Sequence, residues 1–272
     1  MKALKPFLPL VLFIAISPLI VCAQKLPAIQ QTSMQAPANV KVDGKATEWD
    51  DQFQAFNKNG SVFYTIANDD NNLYLVIKQT EPRMIERTLD TGIFFTVNTT
   101  GKKNLKEKEN VSIGFPIINA NYVADILRKA GDKVHWSAVP SSFARMAGAD
   151  VTTRTDSTVL LANKRLAEQA KIIAVSGITG ISDKSISVYN ENGIKAASAF
   201  NSQGNYIYEL AIPLKYLSNN GVLPQKLTYN IKINGYDTGG VFVDRNTKVS
   251  MPTDPDIASS SDFWGEYTLA KK

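Results

Sequence analysis

The chain holds one cysteine, Cys22, and one histidine, His135, in 272 residues. A lone cysteine excludes an internal disulfide and a thiolate metal cluster. A lone histidine excludes the several His or Cys ligands of an ordinary zinc site. Covalent serine chemistry usually uses a histidine base, of which there is one, and no serine here sits in a G-x-S-x-G turn. Blocks of one charge are missing too. The net charge is +5, but the densest run, residues 102–109, interleaves lysine with glutamate and reads as a solvated loop. Without a sustained basic stripe, nucleic acid is not an expected partner. Long apolar runs are equally scarce. Residues 7–20 form the one candidate, broken by Pro9, Ser17 and Pro18, and it falls short of the roughly 20 residues a membrane span needs.

What is present begins at that run. Lys2 and Lys5 precede it, and Val21-Cys22-Ala23 closes it with the residues a signal peptidase reads. Residues 1–23 therefore have the pattern of a cleavable export signal, cut before Gln24. The mature chain is expected to be secreted or periplasmic and free of cysteine. Two alternatives stand beside this reading: an uncleaved anchor, and lipid anchoring through Cys22. Lipidation signals usually carry Gly, Ala or Ser before the cysteine, where this chain has Val21. A disulfide-free exported protein must be held by its core, and this chain is long enough to build one.

Residues 24–37 are rich in Gln, Pro, Ser and Thr without a useful period, which predicts a flexible leader. A single domain is expected over 38–272. It opens with a short strand near 39–44 that ends in the Asp43-Gly44 turn. Residues 61–67 and 73–79 are β-rich and joined by five consecutive Asn/Asp residues, 68–72. Such residues tolerate left-handed backbone and bond their own main chain, so a hairpin is expected. Leu73, Leu75 and Ile77 share one face of its second strand, and Tyr74, Val76 and Lys78 the other. Further strands are expected at 92–98, 111–115, 172–175, 185–189, 206–212, 227–236 and 262–269. Pro213 ends one of them and can start a short helix at 214–217. Tyr206, Tyr208, Leu210 and Ile212 share a face, and Leu227, Tyr229, Ile231 and Ile233 point inward with Lys232 and Asn234 outward. Residues 121–129 and 162–170 have helical composition, which makes 118–172 a partly helical insertion. The fold class expected is mainly β, an antiparallel β-sandwich carrying that insertion.

Four stretches together resemble a known family. They are Val40-Lys41-Val42-Asp43-Gly44-Lys45-Ala46-Thr47-Glu48-Trp49, Tyr64-Thr65-Ile66-Ala67-Asn68-Asp69-Asp70-Asn71-Asn72-Leu73-Tyr74-Leu75, Tyr208-Glu209-Leu210-Ala211-Ile212-Pro213, and Asp262-Phe263-Trp264-Gly265-Glu266-Tyr267-Thr268-Leu269. In order and spacing they resemble the family-9 carbohydrate-binding module and the wider DOMON-like superfamily. Each motif alone is explained by sandwich packing. The resemblance implies two antiparallel sheets, frequent calcium stabilisation, and export either alone or attached to glycoside hydrolases. It also implies that sugar is bound without being cut. The 118–172 segment departs from the compact module.

A sugar site needs aromatic rings for stacking and polar groups for the hydroxyls. The three tryptophans, Trp49, Trp136 and Trp264, are the first candidates, with Tyr236 beside them; Tyr122 and Tyr189 are weaker. Trp49 and Trp264 also suit a core or sheet-edge role, whereas Trp136 lies in the polar insertion next to His135. Calcium takes oxygen ligands. Asp69 and Asp70 in one loop, Asp254 and Asp256 in another, and Glu209 are the candidates, although turn chemistry explains both loops equally well. Glu209 shares its strand face with Ile207 and Ala211, so it needs a cation or a hydrogen-bond partner there. A glycoside hydrolase working through two carboxylates is the catalytic alternative, and no pair stands out. Haem held by His135 with Met84, Met146 or Met251 is disfavoured on ligand count. The expected function is an exported, non-catalytic carbohydrate-binding protein. The rival is a structural or protein-interaction domain on the same sandwich.

Overall fold

The computed structural model describes residues 25–119, 122, 123, 126, 156–218, 221–235, 241–243, 250–252 and 259–271. Among these residues, thirteen strands and two longer helices follow in this order: β1 (Ala55–Asn57), β2 (Val62–Asn68), β3 (Asn72–Gln79), α1 (Pro82–Thr91), β4 (Ile93–Asn98), β5 (Asn110–Phe115), α2 (Asp156–Gln169), β6 (Ile172–Ser176), β7 (Ser185–Ser187), β8 (Lys195–Phe200), β9 (Tyr206–Pro213), β10 (Lys226–Ile233), β11 (Val241–Val243), β12 (Ser250–Pro252) and β13 (Ser261–Thr268). A five-stranded sheet runs β1-β2-β3-β9-β8, a six-stranded sheet runs β13-β10-β4-β5-β6-β7, and β11 pairs with β12 alone. Every strand pair is antiparallel. The fold is the mainly-β sandwich that the sequence predicts.

Alternation puts the core between the sheets. Tyr64, Ile66, Leu73, Leu75, Ile77, Tyr208 and Leu210 from one sheet meet Phe95, Val97, Ile113, Phe115, Tyr229 and Ile231 from the other, all essentially without exposure. The Tyr64 and Tyr229 hydroxyls meet across it at 2.9 Å, and the backbone N–H of Gln30 donates to Tyr64 Oη at 3.0 Å. Gly265 makes this possible, because a Cβ there would lie 2.2 Å from the Tyr229 ring. The β2–β3 hairpin closes as expected, with Asp69 Oδ1 accepting the N–H groups of Asn71 and Asn72, both at 2.7 Å.

The main departure from expectation is the N-terminal segment. Residues 25–53 lie as a strap along the open edge and outer face of the five-stranded sheet. Gln30 supplies a side-chain amide that bonds both backbone groups of Ile66, at 2.7 and 2.8 Å. Residues 34–36 then exchange backbone bonds with Asn68. Leu26, Met34, Ala36, Val40, Val42, Trp49 and Phe53 pack with Tyr74, Val76, Ile207 and Ala211 in a second apolar cluster. Polar composition hid this, because the anchoring is done by an amide side chain and scattered apolar residues rather than by a periodic run. Residues 39–44 accordingly form no strand. They cross the sheet, and Gly44 (φ +81°) presses against the Ser198–Ala199 backbone, where a Cβ would stand 2.7 Å from the Ser198 carbonyl carbon.

The pattern does not predict the short strands β1, β11 and β12, nor two larger elements, α1 and β8. Helix α1 starts with Pro82 at its first position and stops at Gly92, whose N–H bonds Thr88 O at 2.8 Å. Strand β8 joins the edge of the five-stranded sheet through Lys195–Phe200. Of the 118–172 insertion, α2 is helical over Asp156–Gln169, and most of the rest lies outside the described residues. No helix among the described residues is long and apolar enough to cross a membrane.

Candidate functional site

The outer faces of the two sheets differ, and the six-stranded one carries the candidate site. Its inward residues alternate with outward ones, and the strand registers line the latter up in rows. The central row is Trp264–Asn230–Thr96–Ser112–Ser176, drawn from β13, β10, β4, β5 and β6. Beside it runs Asp262–Lys232–Phe94–Gly114–Ala174, and on the other side Glu266–Thr228–Asn98–Asn110. Opposed side chains in such rows stand about 5 Å apart. The face is therefore a lattice of hydroxyls and amides with an aromatic ring at the end of one row and inside the next.

Two grooves cut this face. One, of about 430 Å³, is bounded by Phe94, Thr96, Ser112, Ser176, Asn230 and Lys232 together with Leu105, Glu107 and Lys108 from the β4–β5 loop. The other, of about 420 Å³, lies between β13 and the strap and is bounded by Gln31, Thr32, Ser33, Trp264, Lys103, Lys226 and Glu266. The grooves adjoin where Asn230 opposes Trp264.

Their walls are built by specific bonds. Asn98 Oδ1 accepts from the Thr100 and Lys102 N–H groups at 2.9 and 3.0 Å, while its Nδ2 donates to Asn110 Oδ1 at 2.9 Å. Asn110 Nδ2 donates to Asn104 O at 2.8 Å, and Thr228 Oγ1 to Lys102 O at 3.1 Å. These bonds lash the β4–β5 loop to the sheet and set the height of the wall. Gly114 leaves room for the Phe94 ring, which a Cβ would meet at 2.4 Å. Gly177 (φ +73°) closes the far corner so tightly that a Cβ would stand 1.7 Å from Asn110 O.

On the floor, Thr96 Oγ1 donates to Ser112 Oγ at 2.9 Å. Asn230 Nδ2 donates to Asp262 Oδ2 at 3.0 Å and to Phe263 O at 3.1 Å. Both partners are acceptors, which fixes the amide's orientation. Its Oδ1 is left buried with no hydrogen-bond partner. A buried orphan acceptor costs roughly 1–3 kcal/mol, and a ligand hydroxyl or a water can relieve that cost.

Both groove carboxylates are ion-paired. Glu107 is bonded to Lys102 at 2.9 Å, and Glu266 to Lys226 at 2.6 Å and Lys103 at 3.1 Å. Hydrogen bonds from Lys226 and Lys103, with their charges, hold Glu266 below the ordinary carboxylate range. Among the described carboxyls, Glu86 on α1 is pushed up to about 7 by burial and by Asp90, with Arg83 opposing. Neither it nor Asp90 lines a groove.

The sequence-predicted residues fall in different places. Trp264 lies partly exposed at the junction of the grooves. Trp49, part of the strap, is 3 % exposed where it packs onto the sheet, edge-on to Tyr74 at 6.2 Å. Trp136, Tyr236, Asp254 and Asp256 lie outside the described residues. Tyr122 is exposed, and Tyr189 is exposed with the Lys171 ammonium 5.0 Å from its ring centre; neither lines a groove. Burial would raise the Asp69 carboxyl, but bonds from Tyr74, Asn71 and Asn72 outweigh it and hold it low. Asp70 is exposed beside it. Glu209, 1 % exposed on the outer face of the five-stranded sheet, accepts the N–H groups of Asp43 and Gly44 through Oε2 at 3.0 and 2.7 Å. Its Oε1 is buried without a partner, and burial outweighs those two bonds to raise its pKa. As a test of fit for calcium, no three Asp, Glu, His or Cys side chains converge among the described residues.

Phe94, Thr96, Ser112, Ser176, Asn230 and Lys232 were not singled out from sequence as site residues. The signal for them was the strand alternation itself, which already places Lys232 outward.

No family model matches the chain, and no curated protein matches it. Among solved structures, it is similar to a family-9 carbohydrate-binding module from Caldicellulosiruptor kristjanssonii in complex with glucose. The two are 10 % identical, with 89 % of this chain and 96 % of that chain covered and a TM-score of 0.34. The likeness is a distant one between β-sandwiches.

Proposed function

We propose that the chain is an exported, non-catalytic carbohydrate-binding protein, and that its binding face is the outer side of the six-stranded sheet. The observation that carries this reading is the row Trp264–Asn230–Thr96–Ser112–Ser176, with Phe94 in the row beside it. Sugars offer apolar ring faces and many hydroxyls, which call for aromatic platforms interleaved with uncharged donors and acceptors. Side chains held on strands lose little further freedom on binding, so the face is preorganised. Glu266, held below the ordinary carboxylate range by Lys226 and Lys103, supports binding without hydrolysis, since a glycosidase acid needs a raised pKa.

The test is calorimetric titration against a panel of neutral and charged oligosaccharides, in calcium and in chelator. A ligand of the folded state also raises the melting midpoint by mass action. Binding is expected to weaken at least tenfold in Trp264→Ala and in Phe94→Ala while the unliganded midpoint moves little. The same titration with Trp136→Ala and Tyr236→Ala reports whether those rings join the face, and the chelator arm reports on the calcium that the family resemblance implies. No binding to any glycan would overturn the reading in favour of a protein-interaction domain.

A further inference from the structure

Each groove on the six-stranded sheet is bounded by two lysines and one glutamate: Lys108, Lys232 and Glu107 in the first, Lys103, Lys226 and Glu266 in the second. The acids are already engaged. Glu107 is held by Lys102, which stands outside the groove lining, and Glu266 is shared between Lys103 and Lys226. Asp262, opposite Lys232 in register, bonds the Asn230 amide instead. Among the described residues, Lys108 and Lys232 have no carboxylate within ion-pair distance. Lys232 matters most of the four. It rises from the floor strand beside Phe94 in its own row and two residues from Asn230 on the same face. A cation left unpaired on a wall of hydroxyls and amides favours an anionic group on a hydroxyl-rich ligand.

Resting on the carbohydrate-binding reading, we infer that the ligand of this face is an acidic glycan, whose carboxylate or sulfate groups meet Lys232 and Lys108 in one groove and the Lys103–Lys226 pair in the other. Its ring faces lie against Phe94 and Trp264, and its hydroxyls meet the Ser and Thr side chains of the central row. Both linings carry a single excess positive charge; in the first, Glu107 is taken up by Lys102 and leaves Lys108 and Lys232 without an ion pair among the described residues, whereas in the second Glu266 pairs with both lysines.

The experiment is calorimetric titration of the whole protein with oligogalacturonates, their fully methyl-esterified forms, sulfated heparin oligosaccharides, neutral gluco-oligosaccharides and poly-glutamate. Esterification keeps the sugar and removes the charge. The acid form of one of the two anionic sugars is expected to bind at least tenfold tighter than the neutral sugars, and which one binds distinguishes carboxylate from sulfate recognition. That preference should shrink severalfold at high salt, where exposed charges are screened. Lys232→Gln should remove most of it and Lys108→Gln part of it, with Lys171→Gln, on a partly exposed lysine that lines neither groove, leaving it intact. Unchanged melting midpoints verify that the variants are folded. Equal binding of neutral and acidic sugars, or a preference that survives both groove substitutions, overturns the inference and leaves the carbohydrate-binding reading standing. Equal binding of poly-glutamate overturns it as mere polyanion attraction. Failure of every sugar overturns both readings.

Discussion

The two outer faces of this sandwich start from similar strands and end differently. On the five-stranded sheet the strap covers Tyr74, Val76, Ile207 and Ala211, and the face becomes a second core. On the six-stranded sheet most of the corresponding outward positions are polar or charged, with Phe94 and Trp264 among them; Thr96, Ser112, Ser176 and Asn230 line one open groove, and Trp264 lines another. The difference lies in which residues stand outward and what crosses above them. An apolar outward row needs a cover, and the chain supplies one from its own N-terminal segment. A polar row needs none and stays available. Even the acids divide this way: Glu209 is buried and bonded by the strap's amides, whereas Glu266 sits in water between two lysines.

The two tryptophans give the sharpest way to break this comparison. Trp49→Ala opens a cavity under the strap and is expected to cost about 3–5 kcal/mol. Trp264→Ala, on the open face, should cost less than about 1 kcal/mol of stability while removing ligand binding. Urea denaturation of both variants checks the pair, and equal destabilisation would show that the faces do not differ as described.

Glu209 tests the cover directly. Glu209→Ala leaves the buried N–H groups of Asp43 and Gly44 without their acceptor, a loss of about 1–3 kcal/mol. Glu209→Gln retains an acceptor oxygen and should lose less. Amide hydrogen exchange at positions 43 and 44 should quicken in the alanine variant, with the amides of the β4–β5 loop unchanged.

The smallest effect comes from a group on neither face. Glu86 is raised from its ordinary value to about 7 by burial, with Asp90 adding to it. A raised folded pKa means that this group's contribution is fully present below about pH 4.5 and is lost as pH climbs through 7. Glu86→Gln should therefore match the native protein near pH 4 and exceed it by about 1 kcal/mol at pH 8, once partial exposure is allowed for. Denaturation midpoints at pH 4, 6 and 8 check the sign, and a benefit that is greatest at acid pH would refute it.

Much of this was legible from local pattern. The 68–72 Asn/Asp run announced the β2–β3 hairpin, because the side chains that bond a turn are those of the turn itself. The inward face of β10 was legible from alternation, and with it Lys232 as outward. Helix α1 was harder to see, since its burial depends on Arg87 reaching the carbonyls of Ile233 and Asn234 far along the chain. The strap was harder still: nothing local marks Gln30 as the partner of Ile66.

The sequence by itself determined the identity and sidedness of the longer strands, such as β2, β3, β9 and β10, for a strand's period of two is written in adjacent residues. It also determined that one histidine and one cysteine are all that any site in this chain can draw on. Only the tertiary structure decided that Trp49 is buried and Trp264 partly open, that Glu209 bonds a turn from the strap, and that Trp264, Asn230, Thr96, Ser112 and Ser176 form one row. Those relations join residues separated by scores of positions. Their energies depend on which strand lies beside which, and on what the chain's own N-terminal segment leaves uncovered.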